Sequence, residues 1–295
     1  MAITLTLLGT KGGPAIRTGG PSPTSSLLDV DGHLYVIDCG LGVTRSFVEA
    51  GHALKHLSTI LITHHHSDHN LEFGNLIHTA WTSGLSTPVK AYGPKGLAAM
   101  WPAFCHLNAF DIATRIEDEG RPPLEPLVSV QEFQDGHGFE GGQVFDDGLV
   151  CVTAMRNLHP PVVDSFALRF VIKQAGGDKV LVFSGDTAFM PEMITFARDA
   201  DILIHEAMYL PGVDRLVAKT GNGQRLKQHL LASHTTAEDV GRIATAAGVK
   251  HLVLNHLVPA DDPEVKSEHW ERAVRTSYSG KLTVGFDGLT IGSGA

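Results

Sequence analysis

The chain is short of cysteine, of aromatic residues and of positive charge. Its three cysteines, Cys39, Cys105 and Cys151, are an odd number among 295 residues and lack the paired spacing of a zinc ribbon. That excludes a disulfide framework and points to a reduced, cytoplasmic setting. No apolar run approaches the ~18 residues of a membrane-spanning helix, so no membrane association is expected. Residues 1–8 are too short and lack the basic region of a secretion signal; they alternate as a first strand would. Lys and Arg number 23 against 32 Asp and Glu, a formal charge of −9. This argues against the broad basic face that grips a nucleic-acid backbone. Low-complexity linkers and fixed-period repeats are also missing, so residues 1–295 read as a single domain. A hydrophobic content of 43% and a charged content of 19% suit a globular protein of that size.

What is present is strand-rich. Residues 26–30 and 34–38 flank Asp31-Gly32-His33, a hairpin signal. Residues 41–50 predict a helix stopped by Gly51, 59–63 a buried strand, 71–82 a helix and 89–92 a short strand. Residues 95–126 break this rhythm. They carry Trp101, Phe104, Phe110 and the Pro122-Pro123 pair, and predict a helical excursion whose apolar side chains serve the core or a subunit contact. Further strands are predicted at 149–155, 166–172, 180–183, 201–204, 251–254, 282–285 and 289–291. One helix should start at Pro191. Another should follow Thr235, which has capping-box spacing to Glu238, and stop at Gly248. Strands outnumber helices without strict alternation, which predicts an α+β fold of two packed sheets with helices outside.

Directly after the 59–63 strand stands His64-His65-His66-Ser67-Asp68-His69, four histidines and one aspartate in six positions. Imidazoles and a carboxylate crowded at a strand end suit a borderline divalent ion such as zinc. Alternate residues of an extended segment face the same way, so His64 and His66 should point together and His65 away. Other ligand types recur just after predicted strands: Asp38, His159, Asp186 in Ser184-Gly185-Asp186-Thr187, His205 and Glu206, and His256. His234 precedes a helix. Strand ends share one rim, which is how rigidly held sites are usually built. His33, His52, His56, His78, His106, His137, His229, His251 and His269 are read as ordinary hydrogen-bonded histidines.

These motifs resemble the metallo-β-lactamase-fold superfamily, in its ribonuclease Z and arylsulfatase-like branch. The resemblance runs through Leu8-Gly9-Thr10, Ile37-Asp38-Cys39-Gly40, His64-x-His66-x-Asp68-His69, Tyr92-Gly93-Pro94, His159, Ser184-Gly185-Asp186-Thr187, Ile204-His205-Glu206-Ala207, Ser233-His234-Thr235 and Leu254-Asn255-His256. It implies an αββα sandwich with two zinc ions in an edge cleft, manganese and iron(II) being the other ions such ligands accept. By position, His64, His66 and His159 would take one ion, Asp68, His69 and His256 the other, and Asp186 would bridge them. Asp38 would orient a ligand imidazole. A hydroxide shared by two such ions can attack an ester in line. Asp68 would accept the water's proton, and His234, oriented by Glu206, would protonate the leaving oxygen. Dimerisation is also implied by the resemblance.

One departure from the family pattern shapes the expected substrate. Transfer-RNA-processing members carry a basic, glycine-rich arm, which many bacterial forms place between the residues matching His159 and Asp186. Here those two are only 27 positions apart, with room for one hairpin. The 95–126 excursion is acidic. The one basic stretch, 207–233, holds Arg215, Lys219, Arg225 and Lys227 against Asp214, and is expected to form a lid over the cleft. The sequence therefore predicts a dinuclear zinc hydrolase of a small ester, a phosphodiester or an aryl sulfate. The alternatives are a transfer-RNA 3′-end endonuclease, a lactone or β-lactam hydrolase, and a metal-binding scaffold without turnover.

Overall fold

The computed structural model describes residues 1–134 and 141–292. Two seven-stranded sheets face each other. The first holds β1 (Ile3–Gly9), β2 (Ser25–Val30), β3 (His33–Ile37), β4 (Thr59–Leu61), β5 (Val89–Gly93) and β6 (Val128–Glu132). The second holds β7 (Gly142–Asp146), β8 (Val150–Arg156), β9 (Phe166–Ile172), β10 (Lys179–Phe183), β11 (Ile202–Met208), β12 (His251–Val258) and β13 (Lys281–Val284). The last strand, β14 (Thr290–Gly292), returns to the first sheet and pairs with β1. Each sheet is mixed. β3 to β6 run parallel, as do β10 to β13, while β14-β1-β2-β3 and β7 to β10 are antiparallel.

The helices follow in chain order. They are α1 (Val43–Glu49), α2 (Ser67–Asn70), α3 (Phe73–Thr82), α4 (Leu97–Leu107), α5 (Ala109–Glu119), α6 (Pro191–Phe196), α7 (Leu210–Ala218), α8 (Gly223–Ser233), α9 (Ala237–Ala246) and α10 (Ser267–Val274). The two-residue period of the strands sorts side chains between three apolar layers. On β3, Tyr35 and Ile37 enter the layer between the sheets, while Leu34 and Val36 join Phe47 and Trp81 under the outer helices. On β11, Ile204 points inward and Leu203 outward, against α9 and α10. The expected αββα sandwich is thus present.

Several boundaries differ from the sequence reading, each for a physical reason. The 95–126 segment is only half an excursion. Leu97, Trp101 and Cys105 of α4 are buried with Val89 and Ala91, and the Trp101 indole donates to the Glu125 carbonyl at 3.0 Å. α5 has no fully buried residue and Phe110 there is 87% exposed, but Ile112 and Ile116 still pack partly against the same core. β6 and β7 escaped prediction because they are edge strands, half-exposed and weakly patterned. β11 and β12 continue to Met208 and Val258, past the apolar runs, because their parallel backbone ladder carries the polar residues along. The helix cap falls one residue later than expected. Thr236 accepts the Asp239 N–H at 3.2 Å, while the Thr235 hydroxyl donates to the Thr187 carbonyl at 2.7 Å. His137 lies outside the described residues. No helix among the described residues is long and apolar enough to cross a membrane.

Candidate metal centre

β4 runs between β3 and β5 and ends at Leu61, and the Ile62 N–H still donates to the Tyr92 carbonyl at 2.8 Å. The chain then stays extended to His66, which caps the single turn of α2. This change of geometry splits the motif. His64 and His66 face one point, whereas the helical turn swings Asp68 and His69 toward a second. The His65 ring turns away, to the Lys95 carbonyl at 3.2 Å and the Asn70 side chain at 2.8 Å.

Tertiary folding completes both points. His64 Nε2 and His159 Nε2 lie 3.0 and 3.1 Å from His66 Nδ1. Asp68 Oδ2 lies 3.7 Å from His69 Nε2 and 3.4 Å from His256 Nε2. Asp186 Oδ2 sits between the groups, 3.9 Å from both His64 and His159 Nε2, 3.3 Å from His69 Nε2 and 3.1 Å from His256 Nε2. Donor atoms around a tetrahedral zinc ion, with bonds near 2.0–2.1 Å, stand about 3.4 Å apart. The observed spacings bracket that value at both points.

The surroundings orient these atoms. His159 Nδ1 faces the Ser233 carbonyl at 2.9 Å, so it carries the proton and Nε2 keeps its lone pair. His69 Nδ1 meets the Asp38 carboxylate at 2.8 Å, which fixes the same tautomer. Asp38 is held in turn by the Thr63 N–H at 2.8 Å and by the Thr63 hydroxyl. Two non-glycine residues here adopt left-handed backbone, Asp38 at φ 62° and His256 at φ 41°. Such backbone costs on the order of 1 kcal/mol or more and clusters at functional sites. At His256 it coincides with the register slip between β11 and β12, which re-aims the side chain. Gly185 must be glycine, because its φ is +56° and a Cβ would stand 2.4 Å from the Phe166 carbonyl.

The donor set fits divalent ions. His69 Nε2 and Asp186 Oδ1 are buried without a hydrogen-bond partner. Burial works against charge on His256, but Asp186 and Asp68 outweigh it and push the pKa up to about 10. His69 moves up for the same reason, while burial drives His64 well below the usual imidazole value. Ligand imidazoles must be unprotonated, so ion uptake has to displace the proton that Asp186 and Asp68 favour on His256. Apparent metal affinity should therefore fall as pH is lowered from 8 to 6, with about one or more protons released per protein. Zinc titrations in buffers of different ionisation enthalpy measure this, and an uptake with no proton release would contradict it.

The remaining predicted residues also converge. His234 Nδ1 lies 2.9 Å from Glu206 Oε2, and Glu206 Oε1 accepts the Thr187 N–H at 2.8 Å. Burial opposes charge on His234, yet Glu206 prevails and raises its pKa. Donor atoms of His234, Asp186 and His256 lie within 4.8 Å of one another. His205, by strand alternation, points the other way, its Nδ1 on the Glu206 carbonyl at 2.7 Å. One site-lining histidine was missed. The His229 ring lies 6.1–6.4 Å from the rings of His66, His159 and His234 and faces the same cleft. Its only sequence signal was its place in α8, one helical turn before Ser233. The cleft measures about 390 Å³. It opens beside His66, Asp68 and His234, and Leu216, Leu226 and Leu230 of α7 and α8 form an apolar wall.

The sandwich and the clustered ligands define the class, a metal-dependent hydrolase of the metallo-β-lactamase fold. Within it the chain belongs to the ribonuclease Z-like branch and to the family described as anti-Pycsar protein Apyc1, whose model matches residues 3–214. The ribonuclease Z of Mycobacterium bovis (strain BCG / Pasteur 1173P2) is 30% identical over 286 residues, 96% of this chain and 95% of that protein. That of Mycobacterium marinum is 28% identical over 97% of this chain and 96% of its own length. Among solved structures, the metallo-β-lactamase-fold protein YhfI from Bacillus subtilis superposes with a TM-score of 0.71 at 20% identity, over 99% of this chain and 100% of its own. The short form of human tRNase Z gives 0.67 at 21% identity, over 98% of both chains. These relatives, named for cutting RNA, stand against the expectation drawn from net charge that nucleic acid is an unlikely partner.

Proposed function

We propose that the chain is a two-metal hydrolase of small phosphodiesters. The observation that carries this reading is the cleft itself, a 390 Å³ recess that opens on both ligand groups and on His234. A recess of that size suits a small molecule. His64, His66 and His159 would hold one ion, Asp68, His69 and His256 the other, and Asp186 both. Zinc is the ion that suits this set, and when bound the pair would supply Lewis acidity and make water more acidic. Asp68, held ionised beside His69 and His256, would accept a hydrogen bond from the attacking water. His234, its proton-bearing Nδ1 tied to Glu206, would present Nε2 to the leaving oxygen. The helices α7 and α8 would act as a fixed lid over the organic part of the ester.

A second reading, transfer-RNA 3′-end cleavage, is favoured by the ribonuclease Z relatives. The charges of the 207–233 stretch weigh against it. Arg215 pairs with Asp262 at 2.8 Å and Lys227 with Asp214 at 2.5 Å, which leaves Lys219 and Arg225 to meet a backbone. Zinc-loaded protein assayed on bis(p-nitrophenyl) phosphate, an aryl sulfate, a lactone, a β-lactam and a precursor transfer RNA separates these readings. The diester is expected to turn over fastest. RNA cleavage outpacing it, with a steep salt dependence, would overturn the small-substrate reading.

A further inference from the structure

Beyond the ligands, one side chain in the cleft has no role in the reading above. Lys11 is only 6% exposed, in the segment that follows β1. Its backbone pairs with Pro23, just before β2, on one side and with Leu257 of β12 on the other. The next two residues press on the centre. A Cβ on Gly12 would stand 2.8 Å from the His256 ring, and the Gly13 N–H donates to Asp68 Oδ2 at 2.7 Å. The lysine is therefore held in place beside two candidate ligands and lines the same cleft.

Its charge is incompletely answered. The ammonium has three donors. One reaches the Gly12 carbonyl at 3.2 Å, and the nearest carboxylate, Asp261, stands 3.8 Å away. Asp261 is also in close contact with Arg17 on the same wall. One carboxylate thus serves two cations. Asp68 and Asp186, the other acids lining the cleft, are engaged by imidazoles. A purely structural ion pair at this depth would need closer contact to offset its desolvation. Burial accordingly pulls the Lys11 pKa below its ordinary value, with Asp261 opposing. The apolar part of the lining, Leu216, Leu226 and Leu230, offers no counter-charge.

We propose that Lys11 is the specificity residue that makes this cleft select anionic substrates, its ammonium holding a charged phosphoryl oxygen while the organic group lies on the α7–α8 wall. The proposal rests on the phosphodiesterase reading for the identity of the substrate. It does not depend on that reading for anion binding itself.

The test uses zinc-loaded full-length protein with two probes, bis(p-nitrophenyl) phosphate for turnover and phenylphosphonate for equilibrium binding by calorimetry. Lys11→Gln should keep its metal content and weaken phenylphosphonate about tenfold or more, as expected for a lost charged hydrogen bond. It should raise KM for the diester by a similar factor with little change in kcat, and Lys11→Arg should restore most of both. Asp261→Asn, which frees both cations, should bind phenylphosphonate more tightly. Binding equal in wild type and Lys11→Gln, or none in wild type, would overturn the proposal and leave Lys11 as a partner of Asp261. A wild type that binds phenylphosphonate through Lys11 but hydrolyses no diester would sustain the anchor and sink the phosphodiesterase reading. Should Lys11→Gln fail to fold, Asp261→Asn made in an Arg17→Gln background decides, since Lys11 is then the cation released; no gain in anion affinity there would overturn the proposal.

Discussion

His234→Ala is expected to keep both metal ions and lose turnover by about 10²–10⁴-fold, the usual worth of a positioned general acid. The geometry behind this is specific. Glu206 holds the Nδ1 proton at 2.9 Å and is itself fixed by the Thr187 N–H at 2.8 Å. The imidazole is therefore oriented, and its pKa raised against burial, chiefly by Glu206, which is not one of the candidate ligands. The loss should also depend on the leaving group. A p-nitrophenolate leaves without much help, so the variant should retain far more activity on bis(p-nitrophenyl) phosphate than on a diester with an alkyl leaving group. Equal losses on both, or a loss of metal, would remove His234 from the acid role. Glu206→Gln should fold and bind metal, but lower the His234 pKa, moving the basic limb of the rate profile to lower pH.

The second large effect concerns Asp186. One oxygen of this carboxylate lies 3.1–3.9 Å from imidazole nitrogens of both groups. Asp186→Ala should therefore weaken both ions together, where loss of His66 should weaken one. Activity should fall by about 10³-fold or more, the several kcal/mol that a two-ion clamp contributes. The variant also removes the carboxylate that outweighs burial at His69 and His256. Those imidazoles should then titrate at lower pH in the metal-free protein, which NMR of the ring protons would follow. Retention of two tightly bound ions by Asp186→Ala would refute its shared position.

Much of this was legible in the chain because strand ends are legible. A buried strand reads as an apolar run, and a polar residue after it lies on the rim of the sheet. Asp38, His64, Asp186 and Glu206 were all found in that way. His229 was not, because a histidine on a half-exposed helix has no pattern to distinguish it from a solvated one. Lys11 was missed for a related reason. A lysine near a chain start reads as surface, and only the bridging of its backbone between Pro23 and Leu257 buries it. Of the strands at the sheet edges, β6 and β7 were lost, their alternation diluted by half-exposed residues.

By itself, then, the sequence determined the layers of the fold and the chemical types at the rim, since hydrophobic periodicity and motif spacing are local properties. Only the tertiary structure decided which side chains share an ion-sized point. His159 reaches His66 across 93 positions, and His256 reaches Asp68 across 188. Such meetings depend on how two sheets pack, on the left-handed backbone of Asp38 and His256, and on the register slip between β11 and β12. These come from long-range packing energy, which no local pattern of residues encodes.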